Sequence, residues 1–211
     1  MTESGDDASS TLFEVLERSR SLGFLGPGPI ETHVSHALVF GRATAGAPSR
    51  ALDLGAGGGL PGLVLLCEMW PSTEWVFVDS QQKRTTFLSE SVEVLGQSDR
   101  VTVVTERAEL VGRDPKFRGG FDLVVARSFA APAVTAECAA PLLRPGGLLL
   151  VSDPPDGPAD RWPGNRLSLA GLEPMDTVVE DGVHLSVLKR DDSAIDRLPR
   201  RVGIPSKRPL W

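Results

Sequence analysis

The middle of the chain alternates between short apolar segments and longer segments whose apolar residues recur at helical spacing. The segment 123–126 is apolar at every position, which is typical of a strand buried on both faces of a sheet. Strands that alternate with helices form a parallel sheet covered by helices on both faces. We therefore predict an α/β fold with strands at 51–54, 75–78, 101–104, 123–126 and 148–151, and with helices at 60–69, 81–95, 108–111 and 132–142.

Two further apolar stretches, at 177–179 and 184–188, follow the last of these strands. Between them lies the dipeptide Asp181-Gly182, which is typical of a two-residue hairpin turn because both residue types tolerate positive φ. We therefore predict that an antiparallel hairpin completes a mostly parallel sheet.

The N-terminal part of the chain has a different pattern. Residues 11–21 and 30–42 each place apolar residues on one helical face, and a loop rich in glycine and proline separates them. Residues 1–10 are polar and acidic, and we expect them to be disordered. The predicted organisation is a disordered segment at 1–10, a helical extension at 11–48, the main α/β domain at 49–190 and a tail at 191–211.

A turn with five glycines in eight positions, from Gly55 to Gly62, connects the first predicted strand to the first helix of the alternation. Glycine lets the backbone approach a ligand closely, and the N-terminus of the following helix offers unpaired N–H groups. Pro61 suits the first turn of that helix, where its missing N–H costs nothing. The strand, turn and helix together predict a ligand-binding corner.

Two classes of cofactor fit this turn. Residues 57–62 fit G-x-G-x-x-G, the pattern of dinucleotide-binding turns. Residues 53–59 fit D-x-G-x-G-x-G, which resembles the first motif of class I S-adenosylmethionine-dependent methyltransferases. Asp53 would repel a pyrophosphate and attract the ammonium group of a methionine moiety, so charge favours S-adenosylmethionine over NAD. Asp79, at the end of the next predicted strand, suits the ribose hydroxyls of either cofactor.

The composition indicates one domain with an acidic surface. The 211 residues are 41% hydrophobic, enough for one sizeable core, and the net charge is −6. No apolar run is long enough to span a bilayer. Cys67 and Cys138 lie in apolar helical segments, where we expect core positions rather than a disulfide or metal ligands. We accordingly expect a cytoplasmic monomer without a metal site and without a membrane partner.

Basic residues concentrate at the C-terminus of this acidic chain. From Asp196 onward there are five basic residues against one acid, and three prolines prevent a long helix. The pattern fits either a solvated surface or a segment that binds phosphates. In the second interpretation the substrate-binding residues are Arg200, Arg201, Lys207 and Arg208.

Arg127 follows the fourth predicted strand, at the edge where open parallel sheets bind their ligands. Its cation could hold a methionine carboxylate, a phosphate or a base edge, or could form a salt bridge with Asp53 or Asp122. No serine–histidine–aspartate order or prominent glutamate pair indicates a catalytic base, so the catalytic residues stay unassigned. Methyl transfer from a sulfonium requires mainly positioning, because the donor is already activated.

These motifs together resemble the 16S rRNA guanine-N7 methyltransferase family, called RsmG or GidB. The similar segments are 53–62, 79–88, 107–109 and 121–129, followed by P-R-x-x-G-x-P-x-K-x-P-L at 199–210. The resemblance implies the Rossmann-like class I methyltransferase fold, S-adenosylmethionine as cofactor, and 16S rRNA in the small ribosomal subunit as substrate. The implied cofactor-binding residues, together with those predicted from the first motif and the ribose position, are Asp53, Gly55, Gly57, Gly59, Leu60, Asp79, Ser80, Ala108, Glu109 and Arg127.

Three segments depart from the family pattern. The loop 23–29 replaces an N-L-T motif, and His36 and Ala37 follow His33 where the family has aspartate and serine. Asp153 follows the fifth strand where the family has lysine and glycine, and an acid near the substrate entrance would repel phosphate. A small-molecule methyltransferase and a non-catalytic RNA- or ribosome-binding protein therefore stay open as alternatives.

Overall fold

A computed structural model describes residues 3–157 and 160–211, with side chains described from residue 9 onward. Within these residues the strands are β1 (Arg50–Leu54), β2 (Glu74–Asp79), β3 (Val101–Thr105), β4 (Phe121–Ala126), β5 (Leu143–Ser152), β6 (Leu172–Glu180) and β7 (Val183–Arg190). The α-helices are α1 (Glu3–Ser21), α2 (Ile30–Arg42), α3 (Gly62–Glu68), α4 (Gln82–Val94), α5 (Ala108–Val111), α6 (Pro132–Ala139), α7 (Gly164–Leu167) and α8 (Ile204–Lys207).

The described strands form one sheet in the order β3-β2-β1-β4-β5-β7-β6. The first five strands of this order are parallel, whereas β7 runs antiparallel to β5 and β6 runs antiparallel to β7. Chain order reverses between β1 and β4, and open α/β sheets bind their ligands beyond the carboxyl ends of the strands at such a reversal. The sheet therefore confirms the predicted fold class and places a ligand cleft beyond β1 and β4.

Hydrophobic side chains fill a layer on each face of the sheet. Leu12, Phe40 and Leu63 belong to one layer, which packs α1, α2, α3 and α4 against the sheet. Val111 and Ala136 belong to the other, which holds α5 and α6. Successive residues along the inner strands alternate between the two layers, as the period of a β-strand requires. This arrangement confirms helices on both faces.

The predicted hairpin is present between β6 and β7. Its turn residues Asp181 and Gly182 have φ values of +51° and +74°, the geometry that favours this dipeptide. The N-terminus differs from its prediction, because α1 begins at Glu3 and residues 3–10 are helical rather than disordered. Long-range contacts hold this helix, including a hydrogen bond from Ser9 Oγ to Glu68 Oε1 of 3.1 Å.

The two cysteines pack against the hydrophobic layers. Cys138 is fully buried and Cys67 is partly buried, and neither forms a disulfide within the described residues. Burial raises the pKa of the Cys67 thiol to about 11 and that of Cys138 to about 12. Across residues 3–157 and 160–211, no helix has the length and apolar character that crossing a membrane requires.

Candidate functional site

The glycine turn after β1 is held against the neighbouring strand. The N–H groups of Gly55 and Ala56 both donate to the carbonyl of Val78, at 2.9 Å each. Gly55 has a φ of +76°, and a Cβ there would lie 2.6 Å from the Phe129 ring. Glycine at this position therefore lets the turn approach the segment after β4. Ser128 in that segment has a φ of +54°, a strained conformation that is concentrated at functional sites.

Asp53 lies fully buried beneath this turn. Its Oδ2 accepts a hydrogen bond of 2.9 Å from the N–H of Gly62, whereas Oδ1 has no hydrogen-bond partner among the described residues. Burial raises the pKa of Asp53 to about 7, against the opposing effect of the Gly62 N–H, and the nearby charge of Asp79 adds to the rise while Arg127 opposes it. A buried, partly unsatisfied carboxylate is costly, so Asp53 fits a site that receives a cationic group.

Asp79 ends β2 and supports the turn from the side. Its Oδ2 accepts the N–H of Gly57 at 3.1 Å, and its Oδ1 accepts the N–H of Gln81 at 2.8 Å. Arg84 Nη1 lies 3.5 Å from Oδ2. Because each carboxylate oxygen can accept a second hydrogen bond, Asp79 can hold the turn and still receive ribose hydroxyls.

Two cavities flank the turn. A cavity of about 280 Å³ lies between the ends of β2 and β3 and is lined in part by Gly55, Asp79, Ser80, Ala108, Glu109 and Ser206. A second cavity of about 250 Å³ is lined in part by Phe24, Leu25, Gly26, Gly57, Leu60 and Arg127. Gly55, Arg84 and Ser128 line both cavities, so the two cavities adjoin each other and together make up the cleft at the strand ends.

Two predicted cofactor residues act from outside the lining of the cleft. Asp53 lies beneath the turn, as described above. Gly59 has a φ of +95°, and a Cβ there would lie 2.4 Å from Leu63 Cδ1, so this glycine permits the packing of α3 against the turn. The remaining predicted cofactor residues all line one or both cavities.

Glu109 joins the first cavity to the C-terminal segment. Its Oε1 accepts the N–H of Gly203 at 3.0 Å and a hydrogen bond from Arg107 Nη2 at 3.2 Å. Burial opposes ionisation of Glu109, but these hydrogen bonds outweigh it and hold its pKa below the ordinary value. The C-terminal segment therefore closes one side of the cleft instead of extending into solvent as a free strap.

Arg200 anchors this segment. Its Nε and Nη2 donate to the two carboxylate oxygens of Glu137 at 2.8 and 2.6 Å, and its backbone N–H donates to Oε1 at 2.9 Å. Glu137 is fully buried in α6. Of the four tail residues predicted to bind substrate, Arg200 is therefore committed to an internal ion pair, whereas Arg201, Lys207 and Arg208 are exposed.

Arg127 lines the second cavity at the end of β4. Its Nη2 donates to His33 Nδ1 at 3.1 Å, and its Nη1 is buried without a hydrogen-bond partner in the described part of the chain. Burial lowers its pKa, against the attraction of Asp53. Asp122, one of the salt-bridge partners considered for Arg127, instead bonds to Arg144 Nε and to the backbone N–H of Arg50. Arg127 is thus available to a ligand.

Known proteins resemble this chain in sequence. The sequence model of the GidB family, described as rRNA small subunit methyltransferase G, matches residues 29–152. The chain belongs to the GidB family. The ribosomal RNA small subunit methyltransferase G of Roseiflexus castenholzii is 40% identical over 172 residues, which cover 77% of this chain and 71% of that protein. The protein of that name from Parasynechococcus marenigrum is 38% identical over 167 residues, covering 76% and 67%.

Solved structures agree at the level of the fold. An O-methyltransferase from Bacillus cereus, solved in complex with SAH, superposes with a TM-score of 0.59 at 15% identity, covering 85% of this chain and 90% of that chain. A putative O-methyltransferase from Klebsiella pneumoniae gives 0.58 at 17% identity, covering 86% and 90%. The chain therefore combines the GidB family sequence with a methyltransferase fold.

One departure from the GidB family pattern has a structural explanation. The side chain of Asp153 is fully buried, and its carboxylate accepts hydrogen bonds from Trp162 Nε1 at 2.9 Å and Ser186 Oγ at 2.6 Å. Arg161 lies 3.3 Å away and neutralises the charge. The expectation that Asp153 repels phosphate at the substrate entrance is therefore wrong, because the sequence showed the acid without its partners.

Several cleft residues of this GidB family member were not predicted from the sequence. Phe24, Leu25 and Gly26 line the second cavity, and His33 contacts Arg127. The sequence marked this region only as a departure from the family pattern. The signal that could have identified it is the Gly/Pro-rich composition of 23–29, because an irregular loop beside a helix start is a common place for ligand contacts.

Proposed function

We propose that this chain is an S-adenosylmethionine-dependent methyltransferase that methylates N7 of a guanine in small-subunit rRNA. The observation that carries the proposal is the family match over 29–152, because this segment contains the glycine turn, Asp79, Glu109 and Arg127. The two adjoining cavities at the strand ends support the same proposal. We infer that the protein acts as a monomer in the cytoplasm, where small ribosomal subunits are its partners.

The residues of the cleft fit the chemical groups of this cofactor. Asp79 offers acceptors for ribose hydroxyls, and the cavity beside Glu109 would hold the adenine. In the second cavity, the Nη1 of Arg127, without a partner among the described residues, would match a carboxylate. The buried carboxylate of Asp53 beneath the turn would attract the neighbouring ammonium. The bound cofactor would supply an activated methyl group.

Affinity for this cofactor is expected to depend on pH through Asp53. Its raised pKa of about 7 means that the free protein binds a proton at this carboxyl below neutrality, and only the ionised form attracts the ligand ammonium. Calorimetric titration with S-adenosylhomocysteine should show affinity falling by about fivefold between pH 7 and pH 6. Asp53→Asn should bind weakly and without this pH dependence; an equally steep dependence in that variant would assign it to another group.

Guanine N7 suits a cleft of this kind as the methyl acceptor. The N7 atom carries a lone pair and no proton, so its methylation requires no general base. The protein's contribution is to hold donor and acceptor in line and to exclude water, which can supply a large share of a rate acceleration. The loop Phe24–Gly26 closes over the glycine turn and would take part in excluding water.

The exposed cations of the C-terminal segment are the proposed contact with RNA. Ser206 lines the first cavity, and the exposed Arg201, Lys207 and Arg208 belong to the same C-terminal segment, which supports this proposal. Neutralising phosphates there would release counterions and make binding dependent on salt. Arg200 is left out of this surface because it is paired with Glu137.

Replacing Arg201, Lys207 and Arg208 with alanine should weaken RNA binding and flatten its salt dependence. Each phosphate contact that is lost removes about 0.7 to 0.9 from the slope of log affinity against log salt concentration. Filter binding to small-subunit RNA across a salt series measures this slope. Alanines at Arg42, Arg166 and Lys189 remove the same charge outside the C-terminal segment and should leave the slope nearly unchanged. Equal slopes in both triple variants would contradict the proposed surface.

The proposed reaction is tested in cells by comparing the modified nucleosides of small-subunit rRNA with and without the gene. Mass spectrometry should find N7-methylguanosine at one position of the small-subunit rRNA in cells that have the gene. The same position should carry no methyl group in cells that lack it. Unchanged rRNA modification would contradict the rRNA assignment and would favour a small-molecule acceptor. Loss of a different methylated nucleoside would retain the enzyme class and contradict the N7 assignment.

A further inference from the structure

His33 connects the N-terminal loop to the cofactor cleft through both nitrogens of its ring. The residue is buried in α2, with Nε2 3.2 Å from the carbonyl oxygen of Gly26 and Nδ1 3.1 Å from Arg127 Nη2. A carbonyl can only accept a hydrogen bond and a guanidinium can only donate one. Both contacts are satisfied together only when Nε2 carries the proton and Nδ1 is bare, so the partners select one neutral tautomer.

The other half of the Arg127 guanidinium is left for a ligand. Nη1 is buried in the wall of the second cavity and contacts no acceptor in residues 3–157 or 160–211. A buried donor without a partner costs about 1–3 kcal/mol, which indicates that a ligand supplies the acceptor. Asp53 is buried beneath the same turn with an unpaired oxygen, so an anion lies under the turn and a cation lines the second cavity.

Charged and titratable side chains lie close to the imidazole of His33. Arg127 faces it directly, and His36 lies one turn further along α2, stacked on Phe40 with ring centroids 6.1 Å apart. Burial and the charge of Arg127 lower the pKa of His36 to about 4, so the His36 imidazole is neutral near pH 7. Protonation of either ring would add positive charge beside the guanidinium.

We propose that His33 is a positioning residue: its bare Nδ1 holds Arg127 Nη2 and so aims Nη1 at the carboxylate of the cofactor's methionine part. This inference rests on the proposed function, because it takes the amino-acid end of S-adenosylmethionine as the ligand. His33 also couples the loop Phe24–Gly26 to the cofactor, because its Nε2 contacts the carbonyl of Gly26.

Two substitutions separate this role from simple anchoring of the loop. Asparagine places an acceptor oxygen near the position of Nδ1, so His33→Asn retains the contact with Arg127 and loses the one with Gly26. Glutamine extends its amide to the position of Nε2, so His33→Gln retains the contact with Gly26 and loses the one with Arg127. A loop anchor would be damaged mainly by asparagine, and a positioning residue mainly by glutamine.

The test is calorimetric titration of both variants and the wild type with two ligands. S-adenosylhomocysteine carries the amino-acid group, whereas 5′-methylthioadenosine has the same nucleoside without it. We expect His33→Gln to weaken binding of S-adenosylhomocysteine about tenfold, the loss of one hydrogen bond to a charged group, and to leave methylthioadenosine unchanged. His33→Asn should bind both ligands nearly as the wild type does. In Arg127→Met, adding His33→Gln should cause no further loss.

The outcomes distinguish the inference from the proposed function. Wild-type protein that binds neither ligand contradicts the proposed function itself. Wild-type binding combined with an equal loss of both ligands in His33→Gln, or with no loss, overturns the role of His33. Should a variant fail to fold, the ring ¹⁵N signals of His33 in the wild type decide the point. They are expected to show the Nε2–H tautomer near pH 7.5, and the opposite tautomer or a doubly protonated ring would overturn the inference.

Discussion

Gly57→Val is expected to abolish cofactor binding while the protein stays folded. Gly57 has a φ of +52°, and a Cβ there would lie 3.7 Å from Arg84 Nη1 and 3.9 Å from Asp79 Oδ2. The branches of valine would extend from that point into the cleft beside the residues proposed to hold the ribose. Because these branches would occupy space proposed for the ligand, and because positive φ strains the turn, affinity for S-adenosylhomocysteine should fall by about 100-fold or more.

Gly96→Val is a matched control for the strain alone. Gly96 follows α4 with a φ of +67°, and among the described residues no atom outside its chain neighbours lies within 4 Å of the point that a Cβ would occupy. Both variants should lose about 1–3 kcal/mol of unfolding free energy, because both force a branched residue into the left-handed region. Titration calorimetry beside thermal unfolding should show lost binding in the Gly57 variant alone. Normal affinity in folded Gly57→Val would show that the turn is only structural.

Arg200→Met is expected to destabilise the fold more than any other single change in the C-terminal segment. It deprives the fully buried carboxylate of Glu137 of both hydrogen bonds from the Arg200 side chain. The backbone N–H of residue 200 can still donate, but the side-chain charge is lost. Removing one partner of a buried ion pair costs about 3–5 kcal/mol of unfolding free energy, measurable by urea denaturation.

Two controls accompany this measurement. Arg201→Met removes a neighbouring exposed cation and should change the unfolding free energy by less than about 0.5 kcal/mol. The double variant Glu137→Met with Arg200→Met removes both charges and should recover most of the loss. If Arg200→Met were as stable as Arg201→Met, the C-terminal segment would not be anchored as the structure shows.

The fold could be predicted largely from local patterns. The alternation of apolar and helical segments predicts the order of β1 to β5 along the chain. Asp181-Gly182 predicts the hairpin, because its turn needs two residues of positive φ. The start of α1 could not be predicted in the same way. Its first residues are polar, and the contacts that accompany the helix, such as Arg18 with Glu90, join positions far apart in the sequence.

The cofactor site could be predicted where a single segment of the sequence contains a recognisable motif. The glycine turn and the acids at the ends of β1 and β2 were predicted as cofactor residues; Gly55, Gly57 and Asp79 line the cleft, and Asp53 lies beneath the turn. The partners of Arg127, Arg200 and Asp153 were not predicted, because charge in a sequence does not reveal which distant group will neutralise it. His33 and Arg127, for example, are separated by 94 positions.

The central claim is tested most directly with purified protein and small ribosomal subunits from cells that lack the gene. Incubation with methyl-labelled S-adenosylmethionine, followed by nuclease digestion and mass spectrometry, identifies the methylated nucleoside. Label is expected to enter N7-methylguanosine at one site in 16S rRNA with the wild-type protein and not with Gly57→Val. Absence of label in rRNA, from a wild-type protein that binds S-adenosylhomocysteine, would contradict the central claim.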